Sequence, residues 1–102
     1  MFERLVALHV TDEEGYARYR SAMTPILEGY GGSFRYDFRV GETLKSDGSH
    51  PVNRVFLLSF PDEDIMRRFF RDPQYQAARR EHFDPSVGAA TVISAYEAPD
   101  PS

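Results

Sequence analysis

The predicted order of strands and helices, βαββαβ, indicates an α+β domain with the ferredoxin-like topology. Right-handed crossovers then give a four-stranded antiparallel sheet in the strand order 4-1-3-2, with both helices on one face. A second observation is that the first and third strands are apolar on both of their faces, as strands covered from two sides are. Since the helices cover only one face of the sheet, we expect the sheet of a second copy to cover the other. The sequence therefore predicts a homodimer.

The first strand is predicted at Phe2 to Val10. Its apolar residues divide between the two faces of the sheet as Phe2, Val6, Leu8 and Val10 on one side and Leu5, Ala7 and His9 on the other. Thr11 to Glu14 has the Ser/Thr-x-x-Glu form of a capping box and opens the first helix. Gly31-Gly32 ends that helix, because glycine accepts the left-handed conformation that a helix C-terminus commonly needs.

The second strand is predicted at Ser33 to Val40 from a strict period of two. The pattern places Phe34, Tyr36, Phe38 and Val40 on a buried face and Ser33, Arg35, Asp37 and Arg39 on a polar one. A long polar connection, Gly41 to Val52, follows and is of the kind that can cover a site. Val55 to Phe60 is a continuous apolar run that predicts the third strand.

The second helix is predicted in two pieces. Pro61 ends the third strand, and Asp62 is the N-cap of the first piece. Asp72-Pro73 repeats the signal of an N-cap followed by proline, so a second piece starts in a new direction. A turn region, Phe83 to Gly88, then leads to a last strand at Ala89 to Glu97. We expect residues 1–97 to form one domain and residues 98–102 to be a disordered tail.

Composition excludes several classes of protein. The formal net charge is −4, and acidic and basic residues are interleaved, so no field attracts nucleic acid or an anionic membrane. No apolar run has the length of a spanning helix or the form of a signal peptide, and a cytoplasmic location is the default. Cysteine is absent, which removes thiol chemistry. The three histidines lack the spacing of a metal site. Neither a metal nor another cofactor is predicted.

Several short motifs occur in a characteristic order along the chain. They are Tyr16-x-x-Tyr19, Pro25-Ile26-Leu27, Tyr30-Gly31-Gly32, Phe60-Pro61, and Asp72-Pro73-Gln74-Tyr75-Gln76 with Arg79. In this arrangement the chain resembles the uncharacterised bacterial family DUF1330 over nearly its whole length. The resemblance implies a relation to the dimeric α/β barrels, in which two ferredoxin-like sheets pack face to face. Members of that superfamily include cofactor-independent monooxygenases, lactone isomerases, haem-handling enzymes and proteins without an assigned activity.

Five residues are predicted to line a pocket between the sheet and the broken second helix. Tyr75, Arg79 and His82 share about one face of the second helical piece, since they lie at helical spacing. His82 and Tyr75 are the candidate catalytic residues, and Tyr19, Arg54 and Arg79 are the candidate ligand-binding residues. The alternatives are a solvated helix end for Arg79 and His82, a strand-end cap for Arg54, and a core position for Tyr19.

Three functions remain open at this point. The first is a small cofactor-independent enzyme, monooxygenase-like or isomerase-like, that acts on a small organic molecule. The second is a module that binds such a molecule without changing it. The third is a structural dimer. A cavity with a histidine or arginine favours the first two functions, and a filled core favours the third.

Overall fold

The computed structural model describes residues 1–99. Within that range the elements are β1 (Phe2–Val10), α1 (Glu13–Gly29), β2 (Ser33–Arg39), β3 (Arg54–Phe60), α2 (Glu63–Arg71), α3 (Pro73–Ala78) and β4 (Val87–Glu97). A π-helical turn, Arg79–Phe83, and one further helical turn, Asp84–Ser86, connect α3 to β4.

The four strands form one antiparallel sheet in the order β2-β3-β1-β4. This order is the predicted 4-1-3-2 counted from the opposite edge, so the predicted ferredoxin-like fold is confirmed. The helices pack on one face of the sheet, where a single core joins Val6, Leu8, Val10, Phe56, Leu58 and Phe60 of the sheet to Tyr16, Tyr19, Met23, Leu27, Phe69 and Tyr75 of the helices. We call the other side of the sheet the open face; it carries Leu5, Ala7, Tyr36, Phe38, Val55, Leu57 and Tyr96.

Both ends of α1 are fixed by short-range hydrogen bonds. The N-cap is Asp12, whose carboxylate accepts the Gly15 N–H at 3.1 Å. The N-cap therefore lies one residue after the predicted Thr11, and the predicted capping box is not formed, because the N3 residue is Gly15. Thr11 instead donates its backbone N–H to Ser86 O at 2.8 Å. At the other end Gly31 has a φ of +76°, and the N–H groups of Gly31 and Gly32 bond to carbonyls of the last turn. This Schellman motif confirms the predicted stop.

A β-bulge at Arg35 changes which side of the sheet the second half of β2 faces. Phe34 is opposite Leu58, but Tyr36 is opposite Leu57, so one residue of β2 has no counterpart in β3. After the bulge Tyr36 and Phe38 lie on the open face, and Asp37 lies on the helix side. The prediction that Phe34, Tyr36 and Phe38 share one buried face is therefore wrong, because a bulge breaks the period of two.

The break between α2 and α3 occurs at the predicted residue. Asp72 caps α3 by accepting the N–H groups of Gln74 and Tyr75 at 2.8 and 3.1 Å, and it also accepts the Tyr30 hydroxyl at 2.8 Å. The predicted turn at Phe83 to Gly88 is wrong, since helical backbone continues to Ser86. The last strand starts at Val87, two residues earlier than predicted, because Val87 pairs with Val10.

The long connection between β2 and β3 lies beside the open face. It encloses a groove of about 790 Å³ with Ala7, Val55, Thr91 and Ile93 of the sheet.

The predicted tail falls partly on residues 100–102, which lie outside the described residues. Within the described part, Ala98 donates its N–H to Met1 O at 2.8 Å. No described helix is both long enough and apolar enough to cross a bilayer. The cytoplasmic location stays a prediction.

Candidate functional site

A cavity of about 180 Å³ lies between the helices and the sheet. Its walls are largely apolar and are formed by side chains that include Met23, Phe34, Phe56, Leu58, Phe70 and Phe83. Four polar side chains also reach it, namely Arg4, Tyr19, Tyr75 and Arg79. The cavity opens at the edge strand β4, where Val92 is 46% exposed. An apolar cavity with a few converging polar groups is the usual form of a small-molecule site.

Two tyrosine hydroxyls meet inside this cavity. Tyr19 projects from the middle of α1, and Tyr75 projects from the first turn of α3, which Asp72 orients. Their oxygens are 2.9 Å apart and both side chains are buried. Burial, and then the adjacent Tyr75, raises the pKa of the Tyr19 phenol far above its usual range. Tyr19 therefore stays protonated at neutral pH and can act as a hydrogen-bond donor.

The hydroxyl pair keeps one proton for a further partner. One hydroxyl donates to the other, and the second hydroxyl has its own proton to donate. No other hydrogen bond of either hydroxyl occurs among residues 1–99. A ligand oxygen in the cavity would supply the missing acceptor.

Arg4 brings a positive charge to the same cavity. It lies on the helix side of β1, between Phe2 and Val6, and its guanidinium stacks over the Phe70 ring at 4.4 Å. Burial lowers the pKa of Arg4, and the nearby Arg79 lowers it further, whereas Tyr75 and Tyr19 act in the opposite direction. An arginine pKa starts so high that the group remains charged at neutral pH.

Arg79 lies at the C-cap of α3 and contributes a second guanidinium at the rim of the cavity. It is 5.2 Å from the centre of the Phe83 ring and 3.7 Å from the exposed carboxylate of Asp84. That weak ion pair leaves most of the Arg79 hydrogen-bonding capacity available.

Arg54 does not reach the cavity. Its guanidinium forms two hydrogen bonds of 2.9 Å with Asp37, while Glu13 lies 3.9 Å away. These bonds, together with one from Arg20, hold the pKa of the Asp37 carboxyl below its usual value. The bulge at Arg35 causes this pairing because it places Asp37 on the helix side of the sheet. The prediction of Arg54 in the common pocket is therefore wrong.

His82 also lies outside the cavity. It borders a shallow groove with Ala17, Arg18 and Ser21 on the outer side of α1, and its Nε2 is 3.9 Å from Glu81. The prediction of a shared face for Tyr75, Arg79 and His82 assumed a regular helix. The wider π-helical turn at Arg79–Phe83 changes the direction of the side chains, so Phe83 lines the cavity instead.

The sequence matches the model of one protein family over nearly its whole length. The family model described as "Domain of unknown function (DUF1330)" matches residues 4–96. The chain belongs to the DUF1330 family. The resemblance given by the sequence motifs is thereby confirmed.

Solved structures share the fold of this DUF1330 chain. A protein of unknown function from Rhodopseudomonas palustris has a TM-score of 0.82 at 20% identity, over 98% of this chain and 83% of that one. An uncharacterized NIPSNAP domain protein from Burkholderia xenovorans has a TM-score of 0.67 at 19% identity, over 98% of this chain and 100% of that one. A dabb family protein with a ferredoxin-like fold from Mesorhizobium loti also has a TM-score of 0.67, at 20% identity over 97% of each chain. At these low sequence identities the comparison shows a shared fold and assigns no activity.

Sequence reasoning missed one polar residue of the DUF1330 cavity, Arg4. The signal was present, because a period of two along β1 places Arg4 on the same side as Val6 and Leu8. A charged residue at an inward position of a central strand is uncommon and indicates a partner or a site.

A search against curated proteins finds no match.

Proposed function

We propose that this DUF1330 protein binds a small organic molecule in the cavity between its helices and its sheet. The observation that carries the proposal is the buried Tyr19–Tyr75 pair, which has one hydroxyl proton to spare in a cavity with largely apolar walls. A structural dimer has no need of such a cavity, because small cores gain stability when they are filled. Arg4 and Arg79 also line the cavity and can hold a polar group of the ligand. Small-molecule binding therefore accounts for more of the geometry than a purely structural role.

A cofactor-independent, isomerase-like enzyme is the second candidate. The hydroxyl pair favours it, since Tyr75 or Tyr19 can donate a proton to a substrate oxygen during a reaction. Among the described residues, however, the lining includes neither a carboxylate nor an imidazole. A group to remove a proton at neutral pH is then missing, because His82 lies elsewhere. Binding is accordingly our first proposal, and the monooxygenase-like alternative has no specific support in the cavity.

We also propose that two copies pack through their open faces. Large side chains on that face, Tyr36, Phe38 and Tyr96, are 52%, 55% and 37% exposed in the single chain. Apolar surface of this kind is stabilised by burial at about 25 cal/mol per Å². A ferredoxin-like protein of unknown function from Bacteroides fragilis, with a TM-score of 0.56, is described as dimeric. A second copy is thus the occupant that we propose for the open face.

The binding proposal is tested by a fragment screen that uses protein-observed NMR. The library holds neutral, acidic and basic molecules of up to about ten non-hydrogen atoms, in keeping with the ligand efficiency of very small ligands. We expect hits that shift the amide signals of Tyr19, Met23 and Tyr75.

Ala90→Leu is the variant that blocks the site, because Ala90 lines the cavity from β4. Ala77→Leu on the exposed surface of α3 is the matched control. Molecules found in the screen should bind more weakly to Ala90→Leu than to the wild type, and they should bind to Ala77→Leu as tightly as to the wild type. A library without a hit at the cavity contradicts the proposal.

A further inference from the structure

The cavity has a surplus of positive charge. Arg4 and Arg79 both line it, and within residues 1–99 its lining includes no aspartate or glutamate. The two guanidiniums are close enough to act on each other, as the influence of Arg79 on the pKa of Arg4 indicates. Two like charges beside an apolar cavity repel each other, and an anion between them would remove that repulsion.

Arg4 differs from the other partly buried arginines in having no anionic partner. Arg20 and Arg54, which are covered to a similar degree, each donate to Asp37 at 2.9 Å. Arg4 has only the face of Phe70, and the described residues offer it neither a hydrogen bond nor a salt bridge. A covered guanidinium without a carboxylate is costly to hold, since burial penalises the charged form. The position of Arg4 therefore makes sense with an anion as its partner.

The hydroxyl pair suits the same anion. Its spare proton can be donated to an oxygen atom, and a carboxylate has two oxygens that accept hydrogen bonds. One oxygen would take bonds from the arginines and the other from Tyr19 or Tyr75. Hydrogen bonds to a charged acceptor are stronger than bonds between neutral groups.

The volume limits the size of the ligand. An apolar cavity of about 150 Å³ in another protein binds benzene, so a cavity of about 180 Å³ admits a molecule of roughly that size. The apolar body of the ligand must therefore be short, such as a branched aliphatic chain or one ring. Its surroundings would be Phe56, Leu58 and Phe83.

We infer that the ligand is a small monocarboxylate with an apolar body, held by Arg4, Arg79 and the Tyr19–Tyr75 hydroxyl pair. This inference rests on the proposed binding function and adds the chemical class of the ligand. It assigns to Arg4 the role of the main anion-binding residue. Arg79 closes the site from the rim.

The test compares acids with their uncharged amides of nearly equal shape. Benzoate against benzamide, and isovalerate against isovaleramide, are titrated at pH 7.5 and followed by the amide signals of Tyr19 and Tyr75. In the wild type each acid should bind at least tenfold more tightly than its amide. Arg4→Gln should reduce that ratio to near one. Arg80→Gln removes the same charge from an exposed position of the neighbouring helical turn and should leave the ratio unchanged.

The outcomes separate the two proposals. Equal binding of acid and amide by the wild type would overturn the carboxylate inference and leave the binding function intact. A surface groove outside the cavity is lined by Arg20, Arg39 and Arg54. Acids that shift the signals of this groove instead of those of the cavity would also overturn the inference. A cavity that binds neither these probes nor any fragment of the screen would refute both. The wild-type comparison decides the ligand class even if Arg4→Gln does not fold, and Arg79→Gln then serves as the second variant.

Discussion

The hydroxyl oxygens of Tyr19 and Tyr75 lie 2.9 Å apart, although 56 positions separate the two residues in the sequence. The pair joins α1 to α3 in the interior and is also the most buried polar feature of the candidate site. The same contact thus bears on stability and on binding, and the two effects can be measured separately.

Replacing Tyr19 by Phe should lower the free energy of unfolding by about 1–3 kcal/mol, because the Tyr75 hydroxyl then stays buried without a partner. Tyr75→Phe should have a similar effect for the reciprocal reason. The double variant should cost less than the sum of the two, since it buries no unpaired hydroxyl. Urea unfolding of the four proteins gives the cycle. Strictly additive losses would show that the hydroxyls do not interact.

Gly31→Ala should destabilise the protein by about 1 kcal/mol or more. Its φ of +76° is unfavourable for alanine, and an added Cβ would lie 3.0 Å from Cγ of Pro61. Gly29→Ala is the control, as Gly29 is the last residue of α1 and a Cβ there meets no atom within 4 Å. That variant should be neutral or slightly stabilising. Thermal melts of the pair decide the question, and equal midpoints would contradict the proposed strain at Gly31.

Asp37 should make stability dependent on acid pH. Its folded-state pKa lies below the ordinary value of 3.8, chiefly because of Arg54. The stabilisation is therefore fully present above that ordinary value and is lost as the pH falls through the lowered folded-state pKa. Asp37→Asn should be less stable than the wild type at pH 7, and the difference should shrink as the pH falls below 3.8. Asp47→Asn, in the exposed loop, serves as the control and should match the wild type throughout. A difference for Asp37→Asn that is constant with pH would exclude an ionic contribution.

Phe38→Glu should weaken the proposed dimer, because it places a charge on the apolar face through which we propose that the two copies pack. If Phe38 is a hot spot of the interface, its loss costs about 2 kcal/mol, which corresponds to about a thirtyfold rise in the dissociation constant. Sedimentation velocity at micromolar concentration measures the change. Ala77→Glu is the control, since Ala77 is exposed on α3 and lies away from the open face. A wild-type monomer, or equal effects of the two variants, would argue against association through the open face.

Local chemistry made much of the fold predictable. The bounds of β1, the end of β3, the stop at Gly31 and the caps Asp62 and Asp72 were predicted correctly. They depend on residues that lie within a few positions of one another. Proline, glycine and capping carboxylates act at short range, and their effects can be inferred from the sequence.

The errors have a different origin. The bulge at Arg35 depends on how β2 pairs with β3, and the π-helical turn at Arg79–Phe83 depends on how the chain packs against α1. Neither contact is contained in the local pattern. The candidate site was affected most, because a single extra residue in each element decides whether Asp37 meets Arg54 and whether Phe83 or His82 faces the cavity.

The bulge at Arg35 also determines which side of the sheet the odd- and even-numbered residues of β2 face, and this affects how natural variation in β2 is interpreted. Before the bulge, the even-numbered position Phe34 lies on the helix side of the sheet. After it, the even-numbered positions Tyr36 and Phe38 lie on the open face, and Asp37 lies on the helix side. Loss of one residue at this point would invert the rest of the strand. The ion pair of Asp37 with Arg54 and the aromatic surface at Tyr36 and Phe38 would then be lost together. A one-residue deletion in a relative would thus be a more serious change than several substitutions, since it would alter the chain's own packing and its outer surface in one step.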